Sequence, residues 1–241
     1  MDSTLWEYFN KQSVEVSQYF MFLKRLEQKT MIIDNYQLYV GDINAGQRID
    51  KNDQIYFNTD IEKTLKANGF LLLYNLVEGT MRRAIEYIFD YLDSHQVDFD
   101  VLRRELKIVV LKNIKKRSPE KIIDKIDKIS LDIIIETWDN DDIFSGNIDA
   151  KKIKDVAKTY GFSSKTSPQK TQNGENLLLI KNHRNDLAHG LKSFNDIGKD
   201  TTAIELFKIK NRVIIYLREI IINIETYLAN QEYLKKTVNS P

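Results

Sequence analysis

The sequence predicts an all-α fold, a bundle of about seven helices. Three observations carry that expectation. Apolar residues recur at helical spacing over long stretches. Only 3 prolines and 9 glycines interrupt 241 residues, so few positions force the chain out of a helix. Start and stop signals fall where the apolar period begins and ends.

The elements follow in order. From about Ser3 to Gln28, the positions Leu5, Tyr8, Phe9, Val16, Tyr19, Phe20, Leu23 and Leu26 give one apolar helix face. Residues 34–60 lose the period and contain Gly41 and Gly46; "YQLYV" and "QIYF" pair as a small hairpin or lie in a loop insertion. A second helix runs from about Ile61 to Leu92. Its stretch "FLLLYNLVEGTMRRAIEYIFDYL" is apolar nearly all round, which places it at the centre. Asp98 to Arg117 is a third helix. Ser118 and Pro119 suit an N-cap and a first helical position, so a fourth helix runs from there to about Thr137. "DNDDIFSGN" is an acidic loop, and "DAKKIKDVAKTY" a short helix stopped by Gly161. The polar "SSKTSPQKTQNG" is the segment expected to be mobile. Glu175 to about His189 is a helix, with Gly190 suited to the left-handed position after it. Thr202 and Glu205 form a capping box, and the last helix runs to about Gln231. No linker divides the chain, so residues 1–241 are expected to form a single domain.

Composition removes several function classes. Hydrophobic content of 42% and charged content of 29% fit a soluble globular protein. A net charge of +1 provides no global field toward nucleic acid or membrane, so any basic surface is local. With no cysteine there is neither disulfide nor thiol nucleophile, and a cytoplasmic location is expected. "MDSTLWEYFNKQ" lacks the regions of a signal peptide. "VIIYLREIIINI" carries Arg218 and Glu219 at its centre, so no membrane association is expected. The acidic "DNDDIFSGNID" lacks the glycine and final glutamate of a calcium loop at the required spacing. No phosphate-cradling glycine loop, zinc pattern or nucleotide fingerprint is present, so neither metal nor cofactor is expected.

"KNHRNDLAHGLKSF", residues 181–194, holds two of the 3 histidines. Arg184 is followed by four residues and then His189. A bare Arg–His pairing arises often by chance, and a histidine in a last helical turn also complements the helix dipole. The longer string "RNDLAHGLKSFNDIGKDTT" is more specific. It resembles the signature region of the HEPN superfamily of helical proteins, marked by an arginine and a histidine a few residues apart. Asn185 after the arginine and Ala188 before the histidine suit that pattern. The following "SF", "GKD" and Thr202, with "YNLVEGTMRRAIEYI" in the second helix, look like one branch of stand-alone bacterial HEPN proteins. The resemblance touches residues 61–92 and 175–231. It implies a helical bundle that usually dimerises, with metal-independent RNA cleavage in many members, a toxin or defence role, and a possible cognate antitoxin. Other members have lost catalysis and only bind RNA or protein. A helical interaction domain with an accidental motif is the third reading.

The implied chemistry needs these residue types. In metal-free cleavage the ribose 2′-hydroxyl attacks its own phosphate. A base takes that proton and an acid protonates the leaving 5′-oxygen. Histidine suits both tasks, because its ordinary pKa lies near neutrality. Arginine offers a planar donor fork that stays charged beside the phosphate. A five-residue offset separates two helical side chains by about 140°. Arg184 and His189 therefore do not share one face of a straight helix. Either the helix ends between them or a second copy completes the site across a two-fold axis. Asn185 and Asp186 are candidates to orient His189 or contact phosphate; surface solvation is their alternative. Glu78 and Arg82, four apart in an apolar helix, pair with each other or reach the site. His183, which does not fit the motif, is expected to be an exposed residue or one at the edge of an RNA site, and His95 to be structural. "RRELKIVVLKNIKKR" offers Arg103, Arg104, Lys107, Lys112, Lys115, Lys116 and Arg117 to RNA phosphates, or is simply a solvated helix face.

Overall fold

The structure, a computed structural model, describes residues 4–30, 38–39, 54–55, 59–115, 144 and 146–235. Its helices are α1 (Thr4–Thr30), α2 (Thr59–Ser94), α3 (Arg104–Lys115), α4 (Ala150–Tyr160), α5 (Pro168–Thr171), α6 (Glu175–Ala188), α7 (Phe194–Gly198) and α8 (Ala203–Ala229). The all-α expectation holds. The hairpin near residues 34–60 is present as two short strands, β1 (Leu38–Tyr39) and β2 (Gln54–Ile55), antiparallel with Leu38 opposite Ile55. The helix expected from Ser118 to Thr137 lies outside the described residues.

α2 is the central helix. It packs against α1, α6, α7 and α8, and Phe70, Leu73, Met81, Ala84, Ile85, Ile88 and Leu92 are fully buried along it. Each large apolar side chain removed from water in this way contributes roughly 1.5–3 kcal/mol. α1 supplies Leu5, Phe9, Val16, Phe20 and Leu23 to the same core, and the Tyr19 hydroxyl donates to the Leu65 carbonyl at 2.6 Å. α7 lies close on the first turns of α2. A Cβ on Gly198 would stand 1.9 Å from the Lys63 carbonyl oxygen, so glycine is required there. α8 begins with the expected capping box: the Thr202 side chain accepts from the Glu205 amide, and Glu205 accepts from the Thr202 amide. Among the described residues, no helix is long and apolar enough to cross a membrane.

Two expectations are corrected. The third helix starts at Arg104, not Asp98. Before it the chain makes a 3-10 turn at Phe99–Val101 and a bridge between Leu102 and Leu234. The Arg103 amide donates to the Tyr233 carbonyl, and the Lys235 amide to the Val101 carbonyl. Pairing with the C-terminal turn takes up backbone groups that a longer helix would have used internally. The segment expected to be mobile is instead tied to α8. The Ser167 amide donates to the Glu219 carboxylate at 2.6 Å, the Asn223 side chain donates to the Lys165 carbonyl at 2.8 Å, and Thr171 is buried. A polar sequence was satisfied by tertiary hydrogen bonds that no local pattern reveals.

Candidate functional site

α6 carries the motif, and its end is built by the backbone. The Leu191 amide donates to the Asp186 carbonyl at 2.8 Å and the Gly190 amide to the Leu187 carbonyl at 3.2 Å. With Gly190 at φ +66, this is a Schellman turn. His189 is the C-cap residue; its amide donates to the Asn185 carbonyl at 3.0 Å. Its side chain is exposed and has no hydrogen-bond partner among the described residues. The helix therefore ends between Arg184 and His189, which is one of the two geometries that their offset allowed.

Arg184 is half-buried, between α2 and the chain that precedes α4. Lys181, Arg184 and Asn185 share one face of α6 and hold the segment 146–149. The Lys181 ammonium donates to the Asp149 carboxylate. The Arg184 guanidinium makes a long bond to the Gly146 carbonyl, 3.4 Å, and donates to the Asn185 side-chain oxygen at 3.0 Å. Asn185 donates in turn to the Asn147 side-chain oxygen at 3.2 Å. Gly146, at φ +74, comes so close that a Cβ would lie 3.0 Å from the guanidinium. Burial pushes the Asp149 carboxyl up, but the Lys181 ammonium and the Lys152 and Lys151 amides outweigh it and hold it below the ordinary carboxylate value. Asp149 also caps α4, accepting from the Lys152 amide at 2.9 Å.

The guanidinium lies over the Tyr74 ring, 4.9 Å from its centroid, a cation–π contact worth about 0.5–2 kcal/mol depending on desolvation. Tyr74, Glu78 and Arg82 stand four apart on α2 and form a polar stripe beneath the motif. The Tyr74 hydroxyl is pushed up to about 12, first by burial and further by the nearby Glu78 carboxylate; the Ile148 amide and the Arg184 charge act in the opposite sense. Glu78 is paired with Arg82 at 2.7 Å. So Glu78 and Arg82 form their own ion pair, and through Tyr74 they also adjoin Arg184.

The remaining candidates separate. Asp186 is paired with Lys192 at 3.1 Å. Arg103 is half-buried and donates to the Gly161 and Glu232 carbonyls, at 3.4 and 3.3 Å; it fastens α3 to the end of α4 and to the C-terminal turn. Lys107 donates to the Asp100 carbonyl at 2.8 Å and lies over the Phe99 ring. Arg104 and Lys112 are exposed. Lys115 ends α3, and Lys116 and Arg117 lie outside the described residues. His95 stacks on Tyr91 and shares a hydrogen bond with its carbonyl, the structural role expected of it.

His183 is a correction. It was expected at the surface, but its ring packs 4.5 Å from that of Phe70, and its Nδ1 is buried without a partner among the described residues. His183 and Arg184 both rest on α2, on Phe70 and on Tyr74 one turn further along it. Burial lowers its pKa from the ordinary 6.5, with Lys192 acting in the same sense and Asp186 and Asp200 against it. Between the two values the unfolded chain binds a proton that the folded chain does not. Folding stability should therefore fall as pH drops below about 6.5, and His183→Gln should remove that part of the slope. Urea midpoints of both proteins across pH 5–8 check this; parallel profiles would show that His183 is solvated.

Sequence reasoning passed over Tyr74, Lys181, Gly146, Asn147 and Asp149. For Tyr74 the signal was present: it continues the Glu78–Arg82 spacing by one turn. For the 146–149 segment there was only the capping position of Asp149.

Fold and motif together define a helical protein with an arginine anchored beneath a histidine-capped helix end. The family model for the HEPN_MAE_28990-like HEPN domain matches residues 1–233. The chain belongs to that HEPN family, and the match takes in residues 93–174, which the sequence resemblance did not reach. Searches of curated proteins and of solved structures each give no match to this chain.

Proposed function

We propose that this HEPN protein is a metal-independent endoribonuclease, acting in the cytoplasm as a single-domain homodimer in a toxin or defence role. The observation that carries this reading is the end of α6: an arginine pre-oriented by Tyr74, Asn185 and Gly146, followed by an exposed histidine on a hydrogen-bonded backbone turn. Arg184 holds the scissile phosphate and meets the charge that develops there. His189 takes the 2′-hydroxyl proton or delivers one to the leaving 5′-oxygen. The 2′-oxygen bonds to phosphorus, the bond to the 5′-oxygen breaks, and a 2′,3′-cyclic phosphate remains. Asn185 keeps the guanidinium in place, and Asp186 holds Lys192 beside the turn. RNA cleavage should persist in EDTA, leave cyclic phosphate ends, and vanish when the attacking ribose is 2′-deoxyribose. Cleavage of DNA, or strict dependence on magnesium, would sink the mechanism.

One histidine per motif leaves the second proton transfer unassigned, and a two-fold dimer with both α6 ends at the axis supplies it. Leu178, Leu179 and Leu191 are exposed on α6 and its terminal turn, as an interface there requires. Arg184→Ala and His189→Ala chains, each strongly slowed, should regain part of the activity when mixed and allowed to exchange. No recovery in a demonstrated mixed dimer would assign the whole site to one chain. A second reading, an RNA- or antitoxin-binding module that does not cut, is favoured by the intramolecular partners that Arg184 already has. The same cleavage assay separates the two.

A further inference from the structure

A groove of about 650 Å³ runs between α1 and α8. On α1 its floor is Val14, Met21 and Phe22, which remain 56%, 44% and 52% exposed; Ile214 of α8 joins them. These α1 positions lie apart from the stripe that enters the core, Leu5, Phe9, Val16, Phe20 and Leu23. A helix needs only one apolar face to pack, so the second one is available to something else. Ser13, only 9% exposed, lines the same groove, and its hydroxyl has no hydrogen-bond partner among the described residues. Buried hydroxyls ordinarily have partners.

The charges specify what would fit. Arg25 and Arg218 line the groove, and no carboxylate does. Among the described residues neither arginine has a hydrogen-bond or ion-pair partner. An isologous contact between two copies of this face would bring both arginines from each side into one desolvated patch, without a lining carboxylate from either. An apolar floor edged by arginine equally disfavours RNA, whose backbone needs a continuous cationic track. Val14 to Arg25 spans about three helical turns.

We propose that the α1–α8 groove docks an amphipathic helix of a different protein, its apolar side chains on Val14, Met21 and Phe22 and its carboxylates paired with Arg25 and Arg218. This surface does not involve α6, so it holds whether or not the protein cuts RNA.

A displayed library of helical peptides, about 20 residues long to cover the groove, is panned against the full-length chain. Enriched sequences should carry an apolar stripe flanked by Asp or Glu. Phe22→Asp should weaken their binding at least about tenfold, one power of ten in the equilibrium constant. Arg25→Glu with Arg218→Glu should do the same, and exchanging the peptide's carboxylates for lysines should restore binding to that double variant. Both variants change exposed positions, and an unchanged urea midpoint verifies their fold. The proposal is overturned if no helices are enriched, if those enriched lack acidic flanks, or if binding ignores both variants. It is also overturned if Phe22→Asp dissociates a dimer of the chain itself, since a second copy would then occupy the groove.

Discussion

His189→Ala should slow RNA cleavage by a factor on the order of 10²–10⁴, the usual contribution of a positioned acid or base. The fold should survive. The histidine side chain is exposed, and the cap is made by backbone groups that alanine keeps: the amide of residue 189 to Asn185, and those of Gly190 and Leu191 to Leu187 and Asp186. The stability cost should be about 1 kcal/mol or less, from the lost interaction of the side chain with the helix dipole. Arg184→Ala should slow cleavage by about 10²–10³, as expected for removal of a donor to developing charge. It should also weaken RNA binding more than His189→Ala does, because in the proposed mechanism the guanidinium holds the phosphate before and during reaction. Its stability cost should be larger than that of His189→Ala, since Arg184 also packs on Tyr74 and bonds to Asn185. Single-turnover cleavage, RNA titration and urea unfolding separate the three quantities. In cells the wild type should slow growth and neither variant should. Equal cleavage by wild type and His189→Ala would remove the histidine from the mechanism.

Phe70→Ala should cost about 3–5 kcal/mol, a large part of the 5–15 kcal/mol that typically holds a domain together. Phe70 is fully buried in the central helix, and its ring supports that of His183 on α6. The substitution therefore opens a cavity where the motif helix rests on the core. The urea midpoint should fall sharply at unchanged slope, and cleavage should fall with it. Phe70→Leu, which fills most of the space, should retain much of both. A loss below about 1 kcal/mol for Phe70→Ala would mean that the contact between α2 and α6 carries little of the packing.

The long helices were legible because their evidence is local. α1, α2 and α8 differ from their expected ends by about two residues or fewer, a scatter inherent in helix termini. The stop at His189–Gly190 and the Thr202 capping box were readable for the same reason: each is a pattern within a few residues of itself. The errors came where distant chain decided. Leu102 met Leu234 and delayed α3. Ser167 and Lys165 met Glu219 and Asn223 and held a polar loop down. His183 met Phe70. Each concerns a residue whose own neighbours allow more than one state.

The site divides along the same line. The sequence by itself determined that Arg184 and His189 stand five residues apart at a helix end, because helical pitch and glycine's access to left-handed φ are properties of a short stretch of chain. It also determined the charge-bearing stripe of Glu78 and Arg82. The tertiary structure alone decided that Arg184 is laid over Tyr74 and tied to Gly146 while His189 is left exposed. It decided as well that the segment 146–149 is fastened to α6 by Lys181 and Asn185. Those contacts join residues 32 to 110 positions apart in the chain. Their partners are selected by how helices pack around one core, and local periodicity says which face of a helix is buried, not what it is buried against.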